Sequence, residues 1–255
     1  MTVTPLGNPR RLLEFTIDGE PARVPEGSTV LDACRAGGKD IPTLCQGDTL
    51  RPKNACRVCV VEVAGSRTLV PACSRRAEPG MEVRTDTERA RHSRRIVLEL
   101  LASSVDLSTT PKAAEWIKEY GAKPDRFGPD AARLNEEPKV DNELYVRDYD
   151  KCILCYQCVD ACGNQWQNTF AISVAGRGFD ARIAVEHDAA LTDSACVYCG
   201  NCIEVCPTGA LSFRSEFAMR AAGTWDASKQ SRRPRSARTA EWAATSRSTC
   251  RTMRS

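Results

Sequence analysis

Apolar and polar residues alternate near the start of the chain, over residues 13–17 and again over residues 22–24. A period of two is typical of a strand with one buried face. Asp18 and Gly19 lie between the two runs, and this pair favours a tight turn. The pattern therefore predicts a β-hairpin.

A helix is predicted directly after the hairpin. Ser28 or Thr29 can cap its first turn, and Gly37 and Gly38 favour its end. Its apolar positions are Val30, Leu31, Ala33 and Cys34. Further strands are predicted at residues 58–63, 68–70 and 81–84. A hairpin, a helix and then more strands predict a β-grasp domain over residues 12–87.

Residues 88–148 are predicted to form a helix and a connector. The helix covers residues 88–102. Its apolar side is expected to consist of Ile96, Val97, Leu100 and Leu101. Its arginines, expected to face water, are Arg89, Arg91, Arg94 and Arg95. After it, prolines surround one short helical stretch, residues 113–120, and no cysteine occurs, which is typical of a segment that joins two domains.

The segment 149–219 contains an internal repeat. Residues 152–162 and 196–206 share the spacing C-x2-C-x2-C-x3-C. Strands are predicted between the two copies, at residues 169–174 and 179–185. Beyond the second copy the chain loses its apolar periodicity, so the tail, residues 220–255, is predicted to be disordered.

Composition changes the picture because the chain has 14 cysteines among 255 residues but only 6% aromatic residues. No run of residues is long and apolar enough for a signal peptide or a membrane span. The chain is therefore expected in the cytoplasm, where clustered cysteines hold metal more often than disulfides. In such a chain, metal centres are expected to organise much of the fold.

Charge is distributed unevenly along the chain. The tail holds eight Arg and one Lys against Asp226 and Glu241, a net charge of +7, whereas the whole chain has +3. The body before the tail therefore carries −4. An acidic body with a basic tail does not favour nucleic-acid binding, which needs basic residues along a folded face.

The repeated cysteine spacing predicts two 4Fe-4S clusters. Three thiolates of one loop hold one cluster, and the fourth cysteine of the same run, which opens a helix leading away, ligates the other. The first cluster is then predicted to use Cys152, Cys155, Cys158 and Cys206. The second is predicted to use Cys196, Cys199, Cys202 and Cys162. Zinc is the alternative, but zinc sites usually combine one C-x2-C pair with two distant ligands.

The residues that follow the two fourth cysteines differ. Pro207 follows Cys206, as the bacterial ferredoxin pattern expects, whereas Gly163 follows Cys162. Glycine is expected to leave this turn less rigid than proline would.

A third set of cysteines lies in the first domain. Cys45, Cys56, Cys59 and Cys73 have the spacing C-x10-C-x2-C-x13-C. Four thiolates on loops of a β-grasp domain suit a 2Fe-2S cluster, whereas a zinc ribbon would need a second C-x2-C pair. The remaining cysteines and the two histidines are expected not to be ligands: Cys34 as a buried helix residue, Cys250 as a thiol of the tail, and His92 and His187 on the surface.

The first set of cysteines resembles the two-iron domain of the large iron-sulfur subunit of complex I. The segments that carry the resemblance are Ile41-Pro42-Thr43-Leu44-Cys45, Ala55-Cys56-Arg57-Val58-Cys59 and Leu69-Val70-Pro71-Ala72-Cys73. The same domain is found in diaphorase subunits of NAD-reducing hydrogenases and in NAD-dependent formate dehydrogenase α subunits. With the ferredoxin repeat, the resemblance covers residues 12–219.

The chain departs from this family after the helix that ends near Leu101. The family usually places one His and three Cys there, which bind an additional 4Fe-4S cluster. Residues 102–111 contain neither residue type, so this cluster is expected to be absent. In lacking these ligands, the chain resembles a branch of formate dehydrogenase α-type chains in which the site is absent.

The tail offers a second link to formate dehydrogenases. When the codons of residues 236–245 are translated one base upstream, permitted third bases give Val-Cys-Pro-Tyr-Cys-Gly-Val-Gly-Cys-Asn, and the single codon of Trp242 forces the second glycine. This stretch resembles the start of the cluster-binding region of molybdopterin formate dehydrogenases. We therefore hypothesise a frameshifted or prematurely ended chain; a natural basic tail is the alternative.

Together these features predict an α+β protein that carries electrons one at a time. It comprises a β-grasp 2Fe-2S ferredoxin domain, a bacterial-type double 4Fe-4S ferredoxin-like domain and a disordered tail. The resemblance implies two partners, a flavin-bearing NADH-reactive subunit and a molybdopterin centre that oxidises formate, and implies no complete catalytic centre on this chain. The alternatives are a diaphorase subunit of a hydrogenase or complex I-like enzyme, and a metal-holding regulatory or scaffold protein without electron flow.

Overall fold

A computed structural model describes residues 10–47, 49–133, 135–234 and 247–251. The chain divides into two compact units. The first unit consists of residues up to 46, residues 51–103 and residues 112–130. The second consists of residues 47–50, 104–111 and the chain from 131 onward. The segment predicted as a connector, 88–148, is therefore shared between the two units.

The first unit contains a five-stranded mixed sheet. Its strands are β1 (Leu12–Ile17), β2 (Glu20–Pro25), β3 (Val60–Val63), β4 (Val70–Pro71) and β5 (Glu82–Arg84). Their order across the sheet is β2-β1-β5-β3-β4. The β1–β2 hairpin is antiparallel around Asp18 and Gly19, as predicted, while β1 runs parallel to β5. The later strands are shorter than predicted.

Helix α1 (Val30–Ala36) covers this sheet. Thr29 and Asp32 form a reciprocal capping box, in which each side chain accepts a hydrogen bond from the other's backbone N–H, at 3.1 and 2.7 Å. Gly37 caps the other end. The predicted buried residues of α1, Cys34 among them, all lie in the core between the helix and the sheet.

Two further helices belong largely to the first unit, α2 (Glu88–Ser104) and α3 (Ala113–Tyr120). The bounds predicted for α3 are confirmed. The predicted faces of α2 are wrong, because Arg94 is 3% exposed whereas Leu100 is 49% exposed. The buried residues of α2 are Ala90, Arg94, Leu98, Glu99 and Ser103. Arg94 lies inside because its guanidinium bonds backbone carbonyls of the first unit, and Glu99 lies inside because it pairs with Arg126 at 2.7 Å.

The second unit combines short strands with short helices. A three-stranded antiparallel sheet, in the order β10-β7-β6, is made of β6 (Lys139–Val140), β7 (Tyr145–Arg147) and β10 (Leu211–Phe213). A separate hairpin consists of β8 (Ser173–Ala175) and β9 (Arg182–Ala184), so these two predicted strands exist but are shorter. The helices are α4 (Gln157–Cys162), α5 (Asn201–Glu204) and α6 (Arg214–Ala221).

The segment predicted as a disordered tail is described only in part. Within it, β11 (Gln230–Pro234) pairs in antiparallel fashion with β12 (Arg247–Arg251). The prediction of disorder for residues 235–246 and 252–255 falls outside the described residues. Among the helices that the structure describes, none has the length and apolar character needed to cross a membrane.

Candidate metal centres

The first unit brings together the four cysteines predicted to hold a 2Fe-2S cluster. Cys45 lies in the loop after α1, Cys56 and Cys59 precede β3, and Cys73 follows β4. Pairing of β3 with β4 places Cys59 and Cys73 close together, since Ala72 donates a backbone hydrogen bond to the carbonyl of Cys59 at 3.1 Å. Cys56 is partly exposed and the other three are buried.

The four sulfurs are linked by hydrogen bonds. The backbone N–H of Cys56 donates to Sγ of Cys45 at 3.3 Å. Hydrogen bonds from the thiols of Cys56 and Cys73 lower the pKa of Cys45 to about 2. A hydrogen bond from Cys73 likewise lowers the pKa of Cys59, to about 7, although burial opposes it. The same hydrogen bonds and burial raise the pKa of Cys56 and Cys73, so within the group these two thiols donate and the sulfurs of Cys45 and Cys59 accept. Thiolates are the form that binds metal.

The repeat in the second unit is also a repeat of backbone conformation. In the first copy, Leu154 and Tyr156 have positive φ angles of 50° and 63°. The equivalent positions of the second copy, Tyr198 and Gly200, have φ angles of 56° and 76°. These residues, in the left-handed conformation, flank the second cysteine of each copy. They turn the backbone of the loop sharply before α4 or α5 begins. Both loops can therefore present three sulfurs to one centre.

Cys206 joins the three cysteines of the first copy. One cavity in the second unit is lined by Cys152, Cys155, Cys158 and Cys206, together with apolar neighbours such as Leu211. The backbone N–H of Leu211 donates to Sγ of Cys206 at 3.5 Å. Burial raises the pKa of Cys158 well above its usual range, and the charges of Cys206 and Cys155 add to the effect.

Cys162 is close enough to the second copy to act on it electrostatically. Burial raises the pKa of Cys202, and the next causes are the neighbouring charges of Cys199, Cys162, Cys196 and Cys206. The hydroxyl of Thr169 lies 3.4 Å from Sγ of Cys162. The chain thus places Cys206 in one cavity with the three cysteines of the first copy, while the grouping of Cys162 with Cys196, Cys199 and Cys202 stays a prediction.

Gly163 has a packing role that the sequence does not reveal. Its φ and ψ of −86° and −140° lie outside the helix and strand regions, and an added Cβ would lie 2.9 Å from the carbonyl oxygen of Val159 and 3.1 Å from the ring of Phe170. Its N–H also donates to that carbonyl at 2.7 Å. Proline could not donate this bond, so glycine serves here through space and hydrogen bonding as well as through its conformational freedom.

The two histidines lie on the surface, and Cys34 shares the core of the first unit with Cys59 and Cys73. His92 is exposed and bonds Arg95, and His187 is exposed beside Glu186. Cys34 is fully buried in the core. Within the described part of the chain, no three His, Cys, Asp or Glu side chains converge on a point suited to a single metal ion. Thiolates that hold an iron-sulfur cluster surround a polyatomic core and need not converge in this way.

A buried ion pair beside the first cysteine loop was missed at the sequence level. Arg147 on β7 bonds the carboxylate of Asp141 and the hydroxyl of Tyr149, and Tyr149 lines the cavity of the first group. The same carboxylate accepts the backbone N–H of Leu191 at 3.0 Å. These residues form no recognisable sequence motif. One of their contacts, between Asp141 and Leu191, joins residues 50 positions apart.

Comparisons with known proteins assign a family of cluster-binding domains to each of the two cysteine-bearing segments. Residues 10–88 match the family model of the 2Fe-2S iron-sulfur cluster binding domain, and residues 151–210 match the 4Fe-4S dicluster domain. Fold and site therefore define an iron-sulfur protein that joins a 2Fe-2S domain to a 4Fe-4S dicluster domain.

Relatives specify the class of protein further. The chain is 41% identical over 210 residues to the NADP-reducing hydrogenase subunit HndD of Solidesulfovibrio fructosivorans, an alignment that covers 78% of this chain and 36% of the relative. It is 33% identical to the mitochondrial NADH dehydrogenase [ubiquinone] iron-sulfur protein 1 of Solanum tuberosum, covering 85% of this chain and 29% of that protein. The chain belongs to the family of iron-sulfur proteins that includes these two subunits. It spans about a quarter to a third of the length of the curated relatives it matches.

A solved structure shows the same fold. In the crystal structure of NAD+-reducing [NiFe]-hydrogenase in the H2-reduced state, one chain superposes with a TM-score of 0.69 at 28% identity. The match covers 80% of this chain and 88% of that one.

Proposed function

We propose that the chain carries electrons one at a time through three iron-sulfur clusters, between a flavin-bearing, nicotinamide-reactive partner and a second redox centre. The first unit is proposed to be a β-grasp domain whose 2Fe-2S cluster is held by Cys45, Cys56, Cys59 and Cys73. The first 4Fe-4S cluster is assigned to Cys152, Cys155, Cys158 and Cys206. The second is assigned to Cys196, Cys199, Cys202 and Cys162.

The observation that carries the proposal is the cavity lined by Cys152, Cys155, Cys158 and Cys206. It favours the crossed assignment of ligands, because a cysteine of the second copy lies with three of the first. When bound, the clusters accept and release single electrons. The chain's own residues hold them in apolar surroundings and donate hydrogen bonds to sulfur, as Leu211 does to Cys206 and Thr169 can do to Cys162.

Anaerobic purification and metal analysis test the proposal. Three clusters require about ten irons per chain, with paramagnetic signals that appear on reduction. Cys34→Ala is the matched control, because Cys34 is a buried cysteine of the first unit that we assign to no cluster. It should leave the iron content unchanged, whereas Cys59→Ala should remove the two-iron signal alone. Stoichiometric zinc without a reducible signal would instead support a non-redox metal-binding protein.

Pairs of variants test the crossed ligand sets. Cys152→Ala and Cys206→Ala should damage the same 4Fe-4S signal, although the two residues belong to different copies of the repeat. Cys196→Ala and Cys162→Ala should damage the other. If Cys206→Ala instead gives the spectrum of Cys196→Ala, each copy holds its own cluster and the crossed assignment is wrong.

We further propose that the second redox centre is a molybdopterin site that oxidises formate. This rests on the absence of His and Cys from residues 102–111 and on the alternative frame over residues 236–245, which lie outside the described residues. A hydrogenase partner is the second candidate, favoured by the 41% identity to the NADP-reducing hydrogenase subunit.

The nucleotide sequence across codons 220–255 and beyond separates these candidates. An open frame that continues from Cys-Pro-Tyr-Cys-Gly-Val-Gly-Cys for several hundred codons is the expected result, and it would indicate a chain interrupted before its molybdopterin domain. If that frame closes within a few codons, the formate-specific proposal fails, and the assignment of the three clusters stands unaffected.

A further inference from the structure

Arg94 is a buried cation without a carboxylate partner. Its Nη2 donates to the carbonyl oxygens of Val60 and Thr85 at 2.9 and 2.8 Å, and its Nη1 donates to the hydroxyl of Tyr120 at 3.1 Å. All three acceptors are neutral. Among the described residues, no ion pair involves Arg94, and its Nε has no hydrogen-bond partner. The guanidinium therefore keeps its full positive charge inside the first unit.

A buried charge is costly unless a nearby opposite charge compensates it. The acid that comes nearest through bonded contacts is Asp18, whose carboxylate accepts hydrogen bonds from the backbone N–H and hydroxyl of Thr85 at 2.6 and 2.7 Å. Asp18 already pairs with Lys39 at 3.4 Å. Arg91 on the same helix differs, since it pairs with Asp86 at 2.8 Å near the surface. Within the part of the chain that the structure describes, Arg94 is stabilised only by neutral groups, the three acceptors and the ring of Tyr120, whose centroid lies 5.5 Å away.

Two of the proposed 2Fe-2S ligands, Cys59 and Cys73, lie in the core of the same unit. Val60, whose carbonyl holds the guanidinium, directly follows Cys59, and Cys59, Cys73 and Cys34 share one hydrophobic cluster. Burial raises the pKa of Cys34 in this cluster, and the charge of Arg94 is a smaller influence that lowers it. Buried groups interact more strongly than exposed ones because little water lies between them.

We propose that Arg94 is a positioning residue that sets the reduction potential of the 2Fe-2S cluster. One added electron makes the cluster and its four thiolates one unit more negative. The fixed positive charge of Arg94 stabilises that additional negative charge, so it raises the potential. The inference rests on the 2Fe-2S ligand set proposed above. Arg94, which lies outside the cysteine motifs, thereby influences how readily the cluster takes up and releases an electron.

Three substitutions in the full-length, cluster-loaded chain separate charge from packing. Arg94→Lys keeps the charge, whereas Arg94→Gln and Arg94→Met remove it. The readout is a redox titration of the two-iron signal by electron paramagnetic resonance. We expect the Gln and Met variants to be at least tenfold harder to reduce, which is about 59 mV for a one-electron couple. The Lys variant should stay within about threefold of the parent.

Two internal controls accompany the titration. Arg91→Gln removes a paired cation from the same helix and should leave the two-iron potential within about threefold of the parent. The 4Fe-4S signals of the second unit should not move in any variant. Unchanged potentials in loaded Arg94→Gln and Arg94→Met overturn the inference while leaving the ligand set intact. Equal shifts in the Lys and Gln variants also overturn it, since they would indicate hydrogen bonding rather than charge.

A second pair of variants keeps Arg94 in place, in case its removal prevents cluster loading. Tyr120→Glu places a carboxylate next to the guanidinium, and Tyr120→Gln is the uncharged control of similar size. The Glu variant should lower the potential relative to the Gln variant, and equal potentials would overturn the inference. If the parent chain shows no two-iron signal at all, the proposed ligand set itself fails, and the inference fails with it.

Discussion

The guanidinium of Arg147 and the carboxylate of Asp141 form a two-point ion pair in the second unit. Nε lies 2.6 Å from Oδ2 and Nη2 lies 2.5 Å from Oδ1, and the side chains are 2% and 1% exposed. Arg147 also donates to the carbonyl of Ala189, and Asp141 accepts from the N–H of Leu191. The pair thereby fastens strand β7 to the segment that leads into the second cysteine copy.

Breaking this pair from one side should destabilise the second unit. Asp141→Asn leaves the guanidinium buried without a counter-charge, a change that typically costs about 3–5 kcal/mol. Thermal unfolding, followed through the visible absorption of the clusters, measures the loss. Glu216→Gln is the control, because it breaks the exposed pair with Arg220 on α6 and should cost about 0.5 kcal/mol or less. Similar losses for both variants would contradict a structural role for the buried pair.

Restoring the family's proline at position 163 should damage the chain rather than improve it. Gly163→Pro removes the hydrogen bond to Val159, which should lower the free energy of unfolding by about 3 kcal/mol or more. It also adds ring atoms at a position where even a Cβ would lie too close to its neighbours. Gly163→Ala adds the clash alone and should cost about 1–3 kcal/mol. Gly37→Ala is the matched control, since its Cβ would meet its nearest neighbour at an ordinary 3.5 Å. Iron content and thermal stability report the outcome, and a stable Pro variant with full iron content would show that this packing is not needed.

Gly200 should be sensitive for a different reason, its backbone conformation. Its φ is +76°, while an added Cβ would find its nearest atoms at a comfortable 3.7 Å. Gly200→Ala should therefore cost about 1–2 kcal/mol through backbone strain alone. Gly200→Asn should cost less, although its side chain is larger, because Asn tolerates the left-handed region. A calorimetric comparison in which Asn is the more damaging of the two would indicate crowding rather than strain.

Prediction from sequence succeeds where the signal is local. The alternation around Asp18 and Gly19 and the cap at Thr29 predict the hairpin and helix α1, because neighbouring residues determine both. Cysteine spacing predicts the ligand sets of the clusters, and these sets stay predictions. The expectation that each fourth cysteine opens a helix is wrong, because Cys162 ends α4 and Cys206 follows α5.

Prediction fails where distant partners decide. The buried face of α2 could not be predicted, because an arginine lies inside only when carbonyls from β3 and from Thr85 are available to bond it. Strands β6 and β7 contain two and three residues, too few to show a period of two. Gly163 was expected to add freedom, and only the position of Phe170 reveals that it provides space.

Cys34 should resist alkylation over a wide range of pH. Burial raises the pKa of its thiol to about 11 from the ordinary 9.0, so its thiolate forms only as the pH rises through that higher value. At pH 9 about one thiol in a hundred would be ionised, compared with about half of ordinary thiols with a pKa of 9. Peptide mapping by mass spectrometry after iodoacetamide treatment should find Cys34 unmodified in the folded, cluster-loaded chain at pH 8 to about 10. The same treatment in guanidinium chloride should modify it fully, because unfolding removes the burial that raises the pKa. Rapid modification of Cys34 at pH 8 in the folded chain would mean that the core between α1 and the sheet opens on the timescale of the reaction.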